Sequence, residues 1–315
     1  QRLRSCMRTA DVAARLGALS GSPGDPASFD GLDRLLERQA YRLASWRVAA
    51  DDINYRRFFD VNDLAALRIE DDEVFAATHA RIFGWIAEGC VSGLRVDHPD
   101  GLSDPAAYFR RLQDTYARLG TGVEGKTLYV VVEKIVGEFE SLPGEWPVHG
   151  ETGYRFSAFC NSLFVDAAQE SRFSRVYRAF SGEMRDFSEV LLESRYLIMA
   201  HSLPGEVSGL ASLLHAIAQQ DRGTRDFTRS RLRGALLEIA AGFPVYRTYI
   251  GPRGVSAADR RHVERAVDDA ARRGLAGDAS ALRFVRDVIL SAPTEPAPPL
   301  RRLKLAFGRR FQQFT

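Results

Sequence analysis

The stretch between residues 91 and 133 constrains this 315-residue chain more than any other. Val91-Ser92-Gly93-Leu94-Arg95-Val96-Asp97-His98 reads as a short strand ending in charged residues. Asp104 and Pro105 form an N-cap and first-turn pair. They open a helix through Tyr108, Leu112 and Tyr116 to a stop at Gly120. Lys126 to Glu133 reads as a second strand, apolar on both faces in the manner of a buried parallel strand. Strand, helix, strand within roughly forty residues is a βαβ unit, which places the two strands parallel and adjacent. The fold class is therefore α/β.

Around this unit the chain changes character twice. Residues 20–31 are dense in turn formers and read as a loop, followed by a helix-like run over 32–44. Residues 46–67, centred on Ile53-Asn54-Tyr55-Arg56-Arg57-Phe58-Phe59, read as a short strand running into an irregular loop. From Asp72 to Glu88 apolar residues recur at helical spacing, and Gly89 ends the run. Residues 157–240 carry almost only helical patterns, such as 207–217 and 227–241. Ser256-Ala257-Ala258-Asp259 resembles a capping box with Asp in the usual Glu place, and the helix it opens stops at Gly274. Pro293, Pro296, Pro298 and Pro299 read as a linker.

Charge and cysteine usage narrow the class. A net charge of +2 from nearly balanced acids and bases gives no reason to expect nucleic acid or an anionic membrane as partner. No apolar run reaches the roughly eighteen residues that a membrane span needs. No charged-then-apolar pattern opens these residues, so secretion is not expected. Cys6, Cys90 and Cys160 are far apart and odd in number, which suits reduced thiols and a cytoplasmic location. They form no metal-ligand spacing, and neither a metal nor a cofactor is expected. The start at Gln1 and the stop at Thr315 read as those of a piece of a longer polypeptide.

Asp97 and Glu133 fall at the carboxyl ends of their strands, the edge where parallel α/β proteins carry their active sites. Neighbouring strands lie about 4.8 Å apart. Carboxyls at adjacent strand ends can therefore approach about 5–5.5 Å, the separation of a retaining glycosidase pair. Arg95 leaves the same strand face as Asp97, which favours an ionised nucleophile. Glu133 follows three valines, and partial desolvation there favours a protonated general acid. Lys134 points to the opposite face. The plainer alternatives are a structural Arg-x-Asp ion pair and a glutamate that merely caps a helix.

Gly93-Leu94-Arg95-Val96-Asp97-His98-Pro99-Asp100-Gly101-Leu102 resembles the nucleophile strand of the α-amylase superfamily, glycoside hydrolase family 13. Further segments in the same order are similar to the trehalose-forming members of that family. They are Ile53 to Phe59, Val132-Glu133-Lys134-Ile135, Gly144-Glu145-Trp146-Pro147-Val148 with Thr152-Gly153-Tyr154, Phe243 to Ile250, and Arg310-Phe311-Gln312-Gln313. The likeness runs from about residue 30 to the end and loosens at 197–210, where Ala200 and Gly209 replace expected basic residues.

The resemblance implies part of a (β/α)8 barrel with a large, mostly helical inserted subdomain. Residues 1–150 would be the central part of the barrel, 151–299 the helical subdomain, and 300–315 a return to the barrel. The implied reaction converts the reducing-end α-1,4 linkage of a maltooligosaccharide, or similar α-1,4-glucan, to α,α-1,1 without a cofactor. Asp97 would be the nucleophile and Glu133 the acid/base, with Arg95, His98, Tyr55, Arg56 and Arg57 contacting substrate. Trp146, Tyr154, Tyr246 and Arg247 read as core. The family's third carboxylate would come after the Phe-Gln-Gln motif, outside this sequence, so weak or no activity is expected of residues 1–315 alone. A hydrolase or 4-α-glucanotransferase, and a non-catalytic glucan-binding protein, are the alternatives.

Overall fold

The computed structural model describes residues 10–120, 127–137, 140–251, 254–274, 279–291 and 298–315. The chain divides into two compact units, residues 1–53 and 54–315. The described part of the first unit holds α1 (Ala10–Leu19), α2 (Asp30–Glu37) and the single turn α3 (Ala49–Asp52). Gly21, at φ 64, turns the chain tightly beneath the Phe29 ring, where a Cβ would lie 2.5 Å from that ring. The helix expected over 32–44 stops at Glu37. Its continuation has no core to face, for Tyr41 and Leu43 are exposed. Cys6 lies outside the described residues.

The second unit opens with a hairpin, β1 (Arg57–Phe58) and β2 (Val61–Ala65), paired antiparallel. The strand expected in this region therefore comes later than the sequence pattern placed it, and it is paired. Then α4 (Asp72–Ala87) starts at Asp71, whose carboxylate accepts from the amides of Glu73 and Val74.

The βαβ unit follows as β3 (Gly93–Val96), α5 (Pro105–Arg118) and β4 (Tyr129–Val132). The strands are parallel and adjacent, with Val96 opposite Val132. Asp104 caps α5 by accepting from the Ala107 amide at 2.9 Å. Lys126, expected to begin β4, lies outside the described residues. A third strand, β5 (Gly150–Glu151), pairs parallel to β4 and gives the order β3-β4-β5. Gln113 of α5 stitches these parts together. Its side chain exchanges hydrogen bonds with both backbone groups of Leu128 at 2.9 Å and donates to the Pro147 carbonyl at 3.0 Å.

Only one face of β4 is deeply buried. Leu128, Val130 and Val132 join Phe75, Phe83, Phe109, Leu112 and Trp146 in one core, whereas Tyr129 is 54% exposed. The expectation of two buried faces fails because this three-stranded sheet is covered by α4 and α5 on one side.

The remainder is helical: α6 (Tyr154–Ser162), α7 (Glu170–Ser181), α8 (Phe187–His201), α9 (Pro204–Ala218), α10 (Arg229–Ala241), α11 (Ala257–Arg273), α12 (Ala279–Ile289) and α13 (Pro298–Phe314). Helices α9 to α13 share a second core around Leu214, Leu236, Val263, Val285, Phe307 and Phe311. Gly274 at φ 71 closes α11 in the left-handed conformation that favours glycine. Ser256 caps that helix, but no reciprocal capping box forms. The Asp259 carboxylate instead accepts from the Tyr249 amide and the Ser256 hydroxyl. Pro293 and Pro296 lie outside the described residues, and Pro298 and Pro299 begin α13 rather than a linker. No single described helix is long and apolar enough to cross a membrane.

Candidate active site

The register carries Asp97 and Glu133 to equivalent positions, each one residue past the paired Val96 and Val132. The Glu133 amide donates to the Val96 carbonyl at 2.8 Å, so the ladder continues to the acid itself. Immediately beyond, His98 takes a left-handed conformation at φ 41 and ψ 53, rare for a residue with a Cβ. That turn aims its amide at the neighbouring strand end, where it donates to Glu133 Oε2 at 2.9 Å. Pro99 then fixes the first position of a short 3-10 turn.

The side chains gather around His98. Its Nε2 lies 2.9 Å from the Tyr246 hydroxyl, and its ring stacks on Phe59 and meets Phe58 edge-on. Phe59 itself has φ 52, so the site draws together the two described non-glycine residues with positive φ. A Cβ on Gly101 would come within 2.8 Å of His98 Nδ1, which explains a glycine at that place. On the other side of Glu133, Tyr154 donates its hydroxyl to Oε1 at 3.3 Å. Asp97 pairs with Arg95 at 2.6 Å, and both side chains are more than half exposed, at 67% and 51%. At that exposure the pair contributes about 0–1 kcal/mol to stability, so it orients more than it stabilises.

Beneath the site lies a buried polar hub. Lys134 Nζ contacts Asp100 at 3.2 Å and Glu140 at 2.7 Å, with its side chain fully covered. Tyr249 donates to the other Asp100 oxygen. Arg247 spans the carbonyls of Asp100 and Leu102 at 2.6 Å each. Burial holds the Arg247 guanidinium below its ordinary pKa and the Tyr249 phenol well above its own. Gln312 clamps both backbone groups of Ile250, and Gln313 donates to the Gly101 carbonyl. Hub and site thus alternate along the chain: Lys134 follows Glu133, Arg247 follows Tyr246, and Asp100 comes two after His98.

The structure separates Tyr55, Arg56 and Arg57, the three residues near the hairpin that were expected to contact substrate. Tyr55 bonds the Asn62 carbonyl at 2.8 Å and stays partly exposed. Arg56 donates to the Gln313 carbonyl at 3.1 Å. Arg57 is buried, pairing with Glu206 at 2.9 Å and donating to Asn62 and the Ser202 carbonyl, which is a packing role. Of the residues read as core, Trp146 and Arg247 are buried. Tyr154 and Tyr246 are not core; they touch Glu133 and His98. Nothing in their local sequence announces this, because Tyr246 reaches His98 from 148 positions away. Among the described residues no cluster of His, Cys, Asp and Glu is arranged to hold a metal ion.

Parallel strands ending in two acids define an α/β protein, a class in which the carboxyl edge of the sheet is the usual place for a binding or active site. Comparison with known proteins adds a likeness: over the aligned stretch the chain is homologous to proteins named maltooligosyl trehalose synthases. Proteins of two Mycobacterium tuberculosis strains, provisionally given that name, are 36% identical over 208 residues, covering 66% of this chain and 26% of theirs. The solved maltooligosyltrehalose synthase of Arthrobacter ramosus is 34% identical with a TM-score of 0.69, covering 92% of this chain and 34% of that one. A solved glycosyltrehalose synthase is 28% identical with a TM-score of 0.59, covering 90% and 31%. The chain therefore spans about a quarter of the curated relatives' length and about a third of the solved enzymes'. No protein-family model matches it.

Proposed function

We propose that this chain supplies the nucleophile and acid/base of a retaining transglucosylase. The enzyme converts the reducing-end α-1,4 linkage of maltooligosaccharides to α,α-1,1, giving maltooligosyl trehalose. The observation that carries this reading is the shared strand-end position of Asp97 and Glu133, joined by the His98 amide. Asp97 attacks the anomeric carbon of the penultimate unit while Glu133 gives its proton to the leaving glucose oxygen. A covalent glucosyl ester on Asp97 results. The released glucose turns, and Glu133 takes the proton from its anomeric hydroxyl as that oxygen attacks the ester. Net hydrolysis is avoided only if glucose outcompetes water in the site.

Each neighbour has a part in this scheme. Arg95 orients Asp97. The His98 amide and the Tyr154 hydroxyl hold the two Glu133 oxygens toward the bond being broken. Phe58, Phe59 and the His98 ring form an apolar, stackable wall suited to a sugar face. The three parallel strands are a sector of a (β/α)8 barrel in this scheme, with residues 151–299 inserted as a helical subdomain and 300–315 rejoining it. Similarity of the chain to trehalose synthases over most of its length supports this arrangement.

The test is a product analysis. Residues 1–315 are placed in the Arthrobacter ramosus enzyme in exchange for its matching third, and maltopentaose is followed by nuclear magnetic resonance. An α,α-1,1 signal that disappears in Asp97→Asn and in Glu133→Gln supports the proposal. Glucose and shorter maltodextrins alone would identify a hydrolase or 4-α-glucanotransferase. Residues 1–315 alone should give little or no product.

A further inference from the structure

A cavity of about 580 Å³ lies where the two cores of the second unit meet, lined by Ala106 and Trp146 of one and Val288 and Ile289 of the other. Neither Asp97 nor Glu133 lines it. Its volume falls within the roughly 300–1,000 Å³ of small-molecule sites. The acids on its wall are already engaged. Asp104 accepts from the Ala107 amide, Glu140 from Lys134, and Asp259 from the Tyr249 amide and the Ser256 hydroxyl. Glu145 is not free either. Three basic side chains on the same wall are uncommitted. Arg261 and His262 of α11 and Arg309 of α13 have neither an ion pair nor a hydrogen bond among the described residues. Trp146 is 4% exposed, and its buried indole N–H has no hydrogen-bond partner, which is unusual in a folded protein. The first turns of α5 and α11 also line the cavity, and helix N-termini favour anions.

What the wall leaves unused is thus positive charge and donors, which calls for a ligand rich in acceptors. A phosphate group meets that need, since guanidinium pairs with it through two parallel hydrogen bonds. The cavity is larger than one phosphate, and Leu142, Pro143, Val288 and Ile289 give the remaining space an apolar lining. We propose that this cavity binds a phosphomonoester with a sugar-sized organic part. Arg261, His262 and Arg309 hold its phosphate, and an acceptor on the bound molecule satisfies Trp146 Nε1–H. Glu140, Arg247 and Tyr249 belong both to this wall and to the hub beneath His98, so the bound molecule bears on the turn that carries that histidine. Binding itself does not depend on the transglucosylation reading.

Trp146 is one of three tryptophans, so Trp46→Phe with Trp85→Phe leaves its fluorescence alone as the probe. Residues 1–315 carrying that pair are titrated with glucose 6-phosphate at constant ionic strength, with glucose and inorganic phosphate as references. Calorimetry repeats each titration on the unsubstituted chain, so that a silent fluorophore is not mistaken for an empty cavity. Saturable binding of glucose 6-phosphate is expected, at least tenfold tighter than that of inorganic phosphate, with none for glucose. Arg261→Ala and Arg309→Ala, both at exposed positions, should each weaken it at least fivefold and leave the urea midpoint unchanged. Absence of both heat and fluorescence change overturns the proposal. So does binding that survives Arg261→Ala combined with Arg309→Ala, since the molecule would then sit elsewhere. Inorganic phosphate binding as tightly as glucose 6-phosphate would overturn it too, leaving an adventitious ion only.

Discussion

The backbone amide of His98 donates to Glu133 Oε2 across two parallel strand ends, while the His98 ring is held from behind by the Tyr246 hydroxyl. One residue thereby links the proposed acid/base to a loop 148 positions away. Because the first contact is made by backbone, side-chain changes can test the second separately.

Tyr246→Phe frees the imidazole while keeping the aromatic contact. In the chimaera with the Arthrobacter ramosus enzyme, kcat should fall about tenfold with stability changed by no more than about 1 kcal/mol, the worth of one hydrogen bond. Gly101→Ala should cost more activity, since its new methyl would sit 2.8 Å from His98 Nδ1. Equal activity in both variants would show that the ring's position is immaterial.

Lys134→Met removes the cation between Asp100 and Glu140, leaving two buried carboxylates unpaired. Breaking a buried pair this way costs about 3–5 kcal/mol. Tyr249→Phe, which deletes one hydrogen bond to Asp100, should cost about 1–2 kcal/mol. Urea midpoints at constant slope measure both. A Lys134→Met chain as stable as the parent would mean that the hub is hydrated.

Glu206→Ala strands the buried Arg57 head. Glu206 is partly exposed, so water recovers some of the loss, and about 2 kcal/mol is expected. The same urea series decides it, with Arg57→Met as the variant that should be better tolerated than a lone buried charge.

His79 gives the fold an acid limit. Its Nδ1–H donates to the Phe75 carbonyl, leaving Nε2 to accept from Tyr108 at 3.0 Å, which fixes the neutral tautomer. Burial first, and Arg111 second, lower its pKa, against the opposing pull of the Phe75 carbonyl. Below about pH 6.5 the unfolded chain takes up a proton that the folded chain refuses. Stability is therefore complete above that value and falls as pH drops through it. Comparing urea stability at pH 7.5 and 5.5, His79→Gln should flatten this dependence; an unchanged slope would acquit His79. At the other extreme, burial pushes the Tyr108 phenol up to about 12. Folding should accordingly weaken as pH rises past 10.

Features set by short-range rules were legible in the residues. The Asp104 cap, the stop at Gly274 and the parallel pairing of β3 with β4 all follow from local pattern and handedness. So does the placing of Asp97 and Glu133 at strand ends. Strand β5 escaped because two residues carry no period. The roles of Lys134, Arg57 and Tyr246 escaped because each depends on at least one partner well separated in sequence: Asp100, Glu206 and His98 respectively. Local sequence sees an exposed-type cation or a core-type aromatic, and only the closed fold supplies the carboxylate or imidazole that reverses the reading.

The alternation of contact and anchor along three segments has a practical side for anyone wishing to redirect this scaffold. Tyr246 can be varied with the backbone beside it still pinned by Arg247, whereas diversity introduced at 100 or 134 would break buried ion pairs at a cost of about 3–5 kcal/mol each. A library built on that division varies the surface and keeps the fold; one that ignores it samples mostly collapse.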